Sequence, residues 1–228
     1  MKQTKLTLFL LTLATVPAFS VSTFTEDFSS GTENWAGAVV GTTPVNFVST
    51  GGAPGFSPGY LSSDFAFSEA GPFGATLFRA QSGLGSSGGA FAGNYLESNV
   101  TQISLFVRHN AGVDISFNLR VANPNNSPGF GVLPLGSPLV SSGEWTQLVF
   151  PIGLDEAFIQ QSGTPTTVLP NVGNLQLGAS NPFDPMDAGF TAPVTFDLDA
   201  VTVNTVPEPS AIFLSLLGLA GLMRRKRN

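Results

Sequence analysis

Asp197 and Asp199 stand two residues apart in the segment FDLDAVTV, and in a strand that spacing sets both carboxylates on one face. Paired hard oxygens suit Ca²⁺, which gathers about six to eight oxygen ligands. Glu26 and Asp27, in TEDF, can add oxygens to the same ion. The plainer alternative is four solvated carboxylates on the outer faces of edge strands. Asp184 and Asp187, in NPFDPMDAG, offer a second oxygen-rich loop, although loop aspartates more often serve local turns. His109 is the single histidine and there is no cysteine, so a thiol mechanism is excluded and a zinc site is not expected. His109 falls in an expected turn beside Arg108 and reads as a solvated turn residue. No Gly-x-Ser-x-Gly elbow occurs in a strand-to-helix context, which argues against a serine triad. Asp197 with Asp199, and Asp155 with Glu156, are carboxylate pairs, but glycoside cleavage needs two carboxyl groups on opposite sides of a bond. Sequence neighbours rarely flank anything, so no catalytic residue is assigned and the chain is not expected to be an enzyme.

The elements that must position these groups are strands. Between residues 21 and 205 apolar and polar residues alternate with period two, and helical periodicity is hard to find. Ile103, Leu105 and Val107 oppose Ser104, Phe106 and Arg108. Val113, Ile115, Phe117, Leu119 and Val121 then oppose Asp114, Ser116, Asn118 and Arg120. A hairpin turning at His109, Asn110, Ala111 and Gly112 is expected to join the two runs. Further strands are expected over 24–28, 35–40, 45–49, 75–80, 131–135, 145–152, 174–178 and 194–203. In the last of these Phe196 and Leu198 share one parity and Val201 and Val203 the other, which predicts a bulge near Asp199. Segments such as STGGAPGFSPGY and ANPNNSPGFG read as loops between strands, and residues 154–161 have room for one helical turn. About 185 residues suffice for one well-cored domain. The fold class expected is all-β, an antiparallel β-sandwich.

Charge is divided sharply along the chain. Six of the nine basic residues lie in the first five residues or the last five. The body keeps only Arg79, Arg108 and Arg120 against 14 carboxylates, a formal charge of −11. Phosphate contact depends on cationic side chains, so a nucleic-acid partner is excluded. With no lysine in the body, Schiff-base chemistry and lysine-to-asparagine crosslinks are excluded as well.

The two ends are addresses. Lys2 and Lys5 precede an apolar run over 6–16, with small residues at Ala18 and Ser20, the pattern of a signal peptide cut by signal peptidase after Ser20. At the other end Val206, Pro207, Glu208 and Pro209 form an extended box, because proline fixes its own φ and lacks a donor. A 13-residue apolar run over 211–223 and the cations Arg224, Arg225, Lys226 and Arg227 follow. The run is shorter than the roughly 20 residues of a free-standing membrane helix, but it can dip into or cross a bilayer when basic side chains snorkel at its end. An ordinary membrane anchor on a proline stalk would share these physics.

The VPEP box, apolar run and basic tail together resemble the PEP-CTERM sorting signal of bacteria that make extracellular polysaccharide. The resemblance implies a transient C-terminal membrane helix, cleavage by an exosortase at the box, and delivery to the envelope or extracellular matrix. The expected divisions are 1–20 signal peptide, 21–205 sandwich and 206–228 sorting signal.

A second resemblance is carried by both ends of the body. EDFSSGTENW, with Asp27, Gly31 and Trp35, and FDLDAVTV, with Phe196, Asp199 and Val201, are similar to the ends of carbohydrate-binding-module jelly rolls. GEWTQLVFPI, led by Trp145, looks like a middle strand of that family. The likeness implies a jelly-roll-like sandwich whose ends meet in space and hold a structural calcium ion through Asp27 and Asp199, to which the neighbouring Glu26 and Asp197 can add oxygens. It also implies sugar binding, which needs exposed aromatic faces. Trp35 and Trp145 fall at core positions of the resembled pattern, leaving Tyr60 and Tyr95 as the candidate ligand-binding residues, with ordinary loop packing as their plainer role. The role expected for the body is structural or adhesive, with exopolysaccharide binding as the alternative and glycoside cleavage a distant second.

Overall fold

A computed structural model describes residues 21–38, 43–66, 75–180 and 193–206. The expected signal peptide, Asp184, Asp187, and the tail from Pro207 through Glu208, Pro209 and the apolar run to Arg224, Arg225, Lys226 and Arg227 lie outside the described residues. Among the described residues no helix is long and apolar enough to cross a membrane.

The chain is mostly β, with two antiparallel sheets packed as a sandwich. The strands are β1 (Phe24–Glu26), β2 (Asn46–Val48), β3 (Tyr60–Phe65), β4 (Ala75–Gln81), β5 (Val100–His109), β6 (Ile115–Ala122), β7 (Gly129–Val132), β8 (Leu139–Val140), β9 (Thr146–Pro151), β10 (Ile159–Gln160), β11 (Asn174–Ala179) and β12 (Val194–Thr205). One short helix, α1 (Pro165–Val168), interrupts them. The first sheet runs β2-β3-β12-β5-β9, with β1 paired to the second half of β12. The second runs β10-β7-β6-β11-β4, with β8 against β6.

The period-two pattern turns Ile103, Leu105 and Val107 of β5 inward to meet Ile115, Phe117, Leu119 and Val121 of β6 across the sandwich, all at most 2% exposed. One continuous apolar core fills the space between the sheets, joined by Phe78, Phe130, Phe150 and Leu177. The predicted bulge is present. Asp199 pairs with Phe106 but Thr202 with Ser104, so two residues of β12 oppose one of β5, and Ala200 takes φ +49°. The extra residue switches parity and lets Val201 and Val203 face the core beside Leu198.

Several expectations are corrected. β5 and β6 do not form a hairpin: β5 pairs with β12 and β9, β6 with β7 and β11, and residues 110–114 cross between the sheets. Alternation says which face is buried and says nothing of the neighbour. His109 is therefore not a solvated turn residue but is 1% exposed, wedged between Phe117 and Phe196 with ring centroids at 6.2 and 6.0 Å. Its Nε2 lies 2.9 Å from the Val140 carbonyl and its Nδ1 accepts from the Ala111 amide at 3.2 Å. The expected strand over 35–40 reduces, within the described residues, to a single bridge from Ala36 to Arg79. Residues 154–161 hold β10 rather than a helical turn.

Candidate functional site

The two sheets present outer faces of opposite chemistry. On the first sheet, strands β1, β3 and β12 carry Glu26, Asp64, Asp197 and Asp199. None of the strands of the second sheet contains a carboxylate.

On the first sheet, register places Asp197 opposite Arg108, and Arg108 Nε donates to Asp197 Oδ2 at 2.8 Å. The same guanidinium lies 4.6 Å from the centre of the Trp145 ring and 5.1 Å from that of Tyr60. Those two rings meet edge to face at 5.5 Å, and Trp145 Nε1 donates to the Gly51 carbonyl. The residues 49–59 loop is thereby held over the sheet, with Phe56 packed on Phe106. Trp145 is thus on the outer face rather than in the core, whereas Trp35 is buried as expected, its indole N–H donating to Ser87 Oγ. Tyr60 is half-buried and turns a face to Arg108, which leaves it poorly disposed for stacking a sugar. Tyr95 is 1% exposed, and its hydroxyl donates to the Phe91 carbonyl. It belongs to the core and not to a ligand surface, and burial pushes its phenol well above the ordinary range.

Of the four expected calcium donors, Asp27 stays close enough to Asp199 for its charge to act on it, while Asp197 and Glu26 are engaged elsewhere. Asp197 is engaged with Arg108. Glu26 Oε1 and Asp27 Oδ1 accept from the nearby amides of Phe28 and Ser29. Asp199 is fully buried, with Oδ2 accepting from the Ala53 amide at 2.7 Å and Oδ1 from that of Ala200 at 2.6 Å. Burial pushes its carboxyl up to about 6, against the pull of those two amides, and the charge of Asp27 adds to the rise. Among the described residues no three acidic or imidazole side chains gather. Backbone oxygens do converge beside Asp199. A β-carbon on Gly52 would stand 2.6 Å from the Ser57 carbonyl oxygen, 2.7 Å from Asp199 Oδ2 and 2.9 Å from the Gly59 carbonyl oxygen.

The outer face of the second sheet was not legible as a site in the sequence. Gln176 of β11 is the cross-strand neighbour of Arg79 on one side and of Arg120 on the other, and Arg120 in turn opposes Gly131. Asn174, Gln81, Asn118 and Thr76 occupy the adjoining outward positions of the same strands. Arg120 donates from Nε to Gln161 Oε1 at 2.7 Å, from Nη1 to Asn126 Oδ1 at 2.6 Å and from Nη2 to the Asn126 carbonyl at 2.7 Å. Its guanidinium lies across Gly129, where a β-carbon would come within 2.6 Å of Nη2. Gln176 donates to the same Asn126 Oδ1, and Asn174 Nδ2 to the Asn123 carbonyl, so the 123–128 loop is moored to this face. Arg79 is half-buried, its Nε is enclosed without an acceptor, and Asn174 Oδ1 is enclosed without a donor. Burial lowers the pKa of both arginines, and the charge of Arg79 lowers that of Arg120 further.

Solved structures similar in fold to this two-sheet sandwich include carbohydrate-binding modules. The CBM22-1–GH10 modules of endo-1,4-β-D-xylanase 10B from Clostridium thermocellum share 17% identity over 81% of this chain and 28% of theirs, with a TM-score of 0.49. The CBM22-2 xylan-binding domain of Xyn10C from Paenibacillus barcinonensis shares 18% identity over 80% of this chain and 99% of its own, with a TM-score of 0.47. An exo-β-agarase is similar over 79% of this chain and 24% of its own, at 10% identity and a TM-score of 0.51. These likenesses concern the fold, and the chain spans about a quarter of the length of the xylanase and agarase chains. No curated protein shows a significant sequence match. Residues 205–227 match the model of the PEP-CTERM protein-sorting motif. The chain therefore carries the signal of an exosortase-processed exported protein, associated with the cell envelope.

Proposed function

We propose that the exported sandwich is a non-catalytic adhesive protein that binds extracellular polysaccharide through the outer face of its second sheet. The observation that carries this reading is the row Arg79, Gln176, Arg120. Two half-buried guanidinium groups flank Gln176, which is itself 4% exposed and donates to Asn126, so the open part of the row is carried by the arginines; a guanidinium fits the adjacent hydroxyls of a sugar because it presents fixed, paired donors. No strand of this sheet supplies a carboxylate to act as acid, base or nucleophile, and Asp155 and Glu156 are exposed neighbours rather than an opposed pair. Adhesion to the matrix follows from the binding and from the sorting signal that delivers the chain there.

A structural calcium ion is part of the same proposal, in narrower form than the sequence suggested. Asp199 and Asp27 would hold it with the carbonyls of Ser57 and Gly59, an all-oxygen set of the kind that cation takes. It would fix the residues 49–59 loop and relieve the charge of a buried carboxylate. The test of the main reading is affinity electrophoresis of the mature chain through gels containing polysaccharides. Retardation in at least one glycan, weakened by Arg79→Ala, is expected. Free migration in every glycan, or retardation unchanged by that substitution, would overturn it.

A further inference from the structure

We infer that the ligand of this face is anionic: a polysaccharide bearing carboxylate or sulfate groups, one of which is held by Arg79. The inference rests on the glycan-binding reading and adds the charge of the substrate.

The argument begins with the distribution of charge. The body has 14 carboxylates and three arginines, so an arginine drawn at random should have acidic neighbours. Arg108 does, in Asp197. Arg79 and Arg120 form no ion pair among the described residues, although they lie on the same sheet face with only Gln176 between them. Two strand spacings separate their backbones by about 10 Å. Repulsion between half-buried cations at that distance is weakly screened by protein, so placing both there without a counterion raises the energy of the free face. An incoming anion removes that penalty, whereas a neutral sugar does not.

The two arginines divide the work. Arg120 spends its Nε, Nη1 and Nη2 on the neutral acceptors Gln161 and Asn126, which fixes the 123–128 loop while leaving its charge uncompensated. Arg79 makes no side-chain hydrogen bond within the described residues, and its Nε is already desolvated. A guanidinium in that state gains most from a carboxylate or sulfate, both of which can accept two of its N–H groups in parallel. Arg79 lies on β4, the last strand of its sheet path, and among the described residues that strand pairs on its far side only through the bridge to Ala36, so a chain crossing the described strands passes over Arg79 before reaching the moored loop.

The experiment is isothermal titration of the full mature chain with dextran, dextran sulfate and polygalacturonate, at low and at moderate salt. Tighter binding of at least one acidic polymer than of dextran, by tenfold or more and diminishing with salt, is expected. Arg79→Gln should weaken acidic binding at least tenfold and Arg79→Lys should restore part of it; Arg79→Lys should keep the wild-type melting temperature, and Arg79→Gln should melt no lower than wild type because it removes the repulsion on Arg120. Dextran sulfate alone binding tightly would assign sulfate, and polygalacturonate alone carboxylate; either supports the inference. Equal or tighter binding of dextran would overturn the charge assignment while leaving glycan binding intact. Undiminished acidic binding by Arg79→Gln would overturn the role of Arg79. Binding to none of the three, together with free migration in all glycan gels, would overturn both readings at once.

Discussion

Asp199 on the last strand accepts a hydrogen bond from the amide of Ala53, 146 residues earlier, at 2.7 Å. That single contact ties the residues 49–59 loop to the bulge of β12, and it does so with a carboxylate that is fully buried. The folded pKa is raised from 3.8 to about 6, so between those values the folded chain keeps a proton that the unfolded chain has released. Stability from this group is complete below about pH 4 and is lost as pH rises through 6, by roughly 3 kcal/mol at most. Thermal melts in chelator should show a falling Tm from pH 4 to pH 7, and Asp199→Asn should flatten that fall. A wild-type slope identical to that of Asp199→Asn would refute the assignment.

Calcium should reverse the penalty. Binding to the folded state alone stabilises it by RT ln(1 + [L]/Kd), about 2.7 kcal/mol at a hundredfold excess over Kd. At pH 7.5 millimolar calcium is expected to raise Tm by several degrees, and chelator to remove the gain. Gly52→Ala should abolish the effect, because its new methyl would stand within 2.9 Å of Asp199 Oδ2 and of the Ser57 and Gly59 carbonyl oxygens and so displace them. No calcium response in the wild type would remove the ion from the proposal.

The Arg108 stack is expected to support the fold and to be dispensable for the ligand. Its guanidinium faces both Trp145 and Tyr60 and pairs with Asp197, whose Oδ1 already lacks a partner among the described residues. Arg108→Ala should cost about 2–4 kcal/mol, because it strands a buried carboxylate and frees two aromatic rings. Asp197→Asn in the same background should recover part of the loss. Chemical denaturation measures both. Glycan retardation of the folded fraction should be unchanged, and a loss of retardation would return the binding surface to Tyr60.

What could be read from the sequence followed from local periodicity. Alternation marks the inward residues of β5, β6 and β12 and even the parity switch at Ala200, because the core imposes it residue by residue. Pairing is a longer-range matter, and nothing in residues 103–121 says that β5 should find β12 rather than β6. β3, β8 and β10 were missed for related reasons. YLSSDF has three consecutive polar residues after its first apolar pair, and the other two strands are only two residues long. Tyr95 and His109 look like loop residues because the residues near them are Gly, Asn and Ala, yet the loop of Tyr95 folds inward and His109 ends β5 with its side chain in the core. The Arg79, Gln176, Arg120 row was illegible for another reason: its members come from three strands separated by tens of residues, and only the register aligns them.

The processing prediction joins the ends of the chain to its body. Val206 is the last described residue; its amide donates to the Asn99 carbonyl, and its side chain is 56% exposed. β12 ends at Thr205, immediately before the Pro207-Glu208-Pro209 box, so a cut within that box would leave every described strand intact. Val21, at the expected start of the mature chain, is buried, with its amide donating to Ser98 Oγ. Intact mass spectrometry of protein from the native host should give a mass spanning Val21 to about Pro209, with or without an added group. The same species should melt at the temperature of the unprocessed chain within error, since every described strand lies between Val21 and Val206. A mature mass that retains Arg224, Arg225, Lys226 and Arg227 would instead mean that the tail stays as a permanent anchor and that the sandwich works tethered to the membrane.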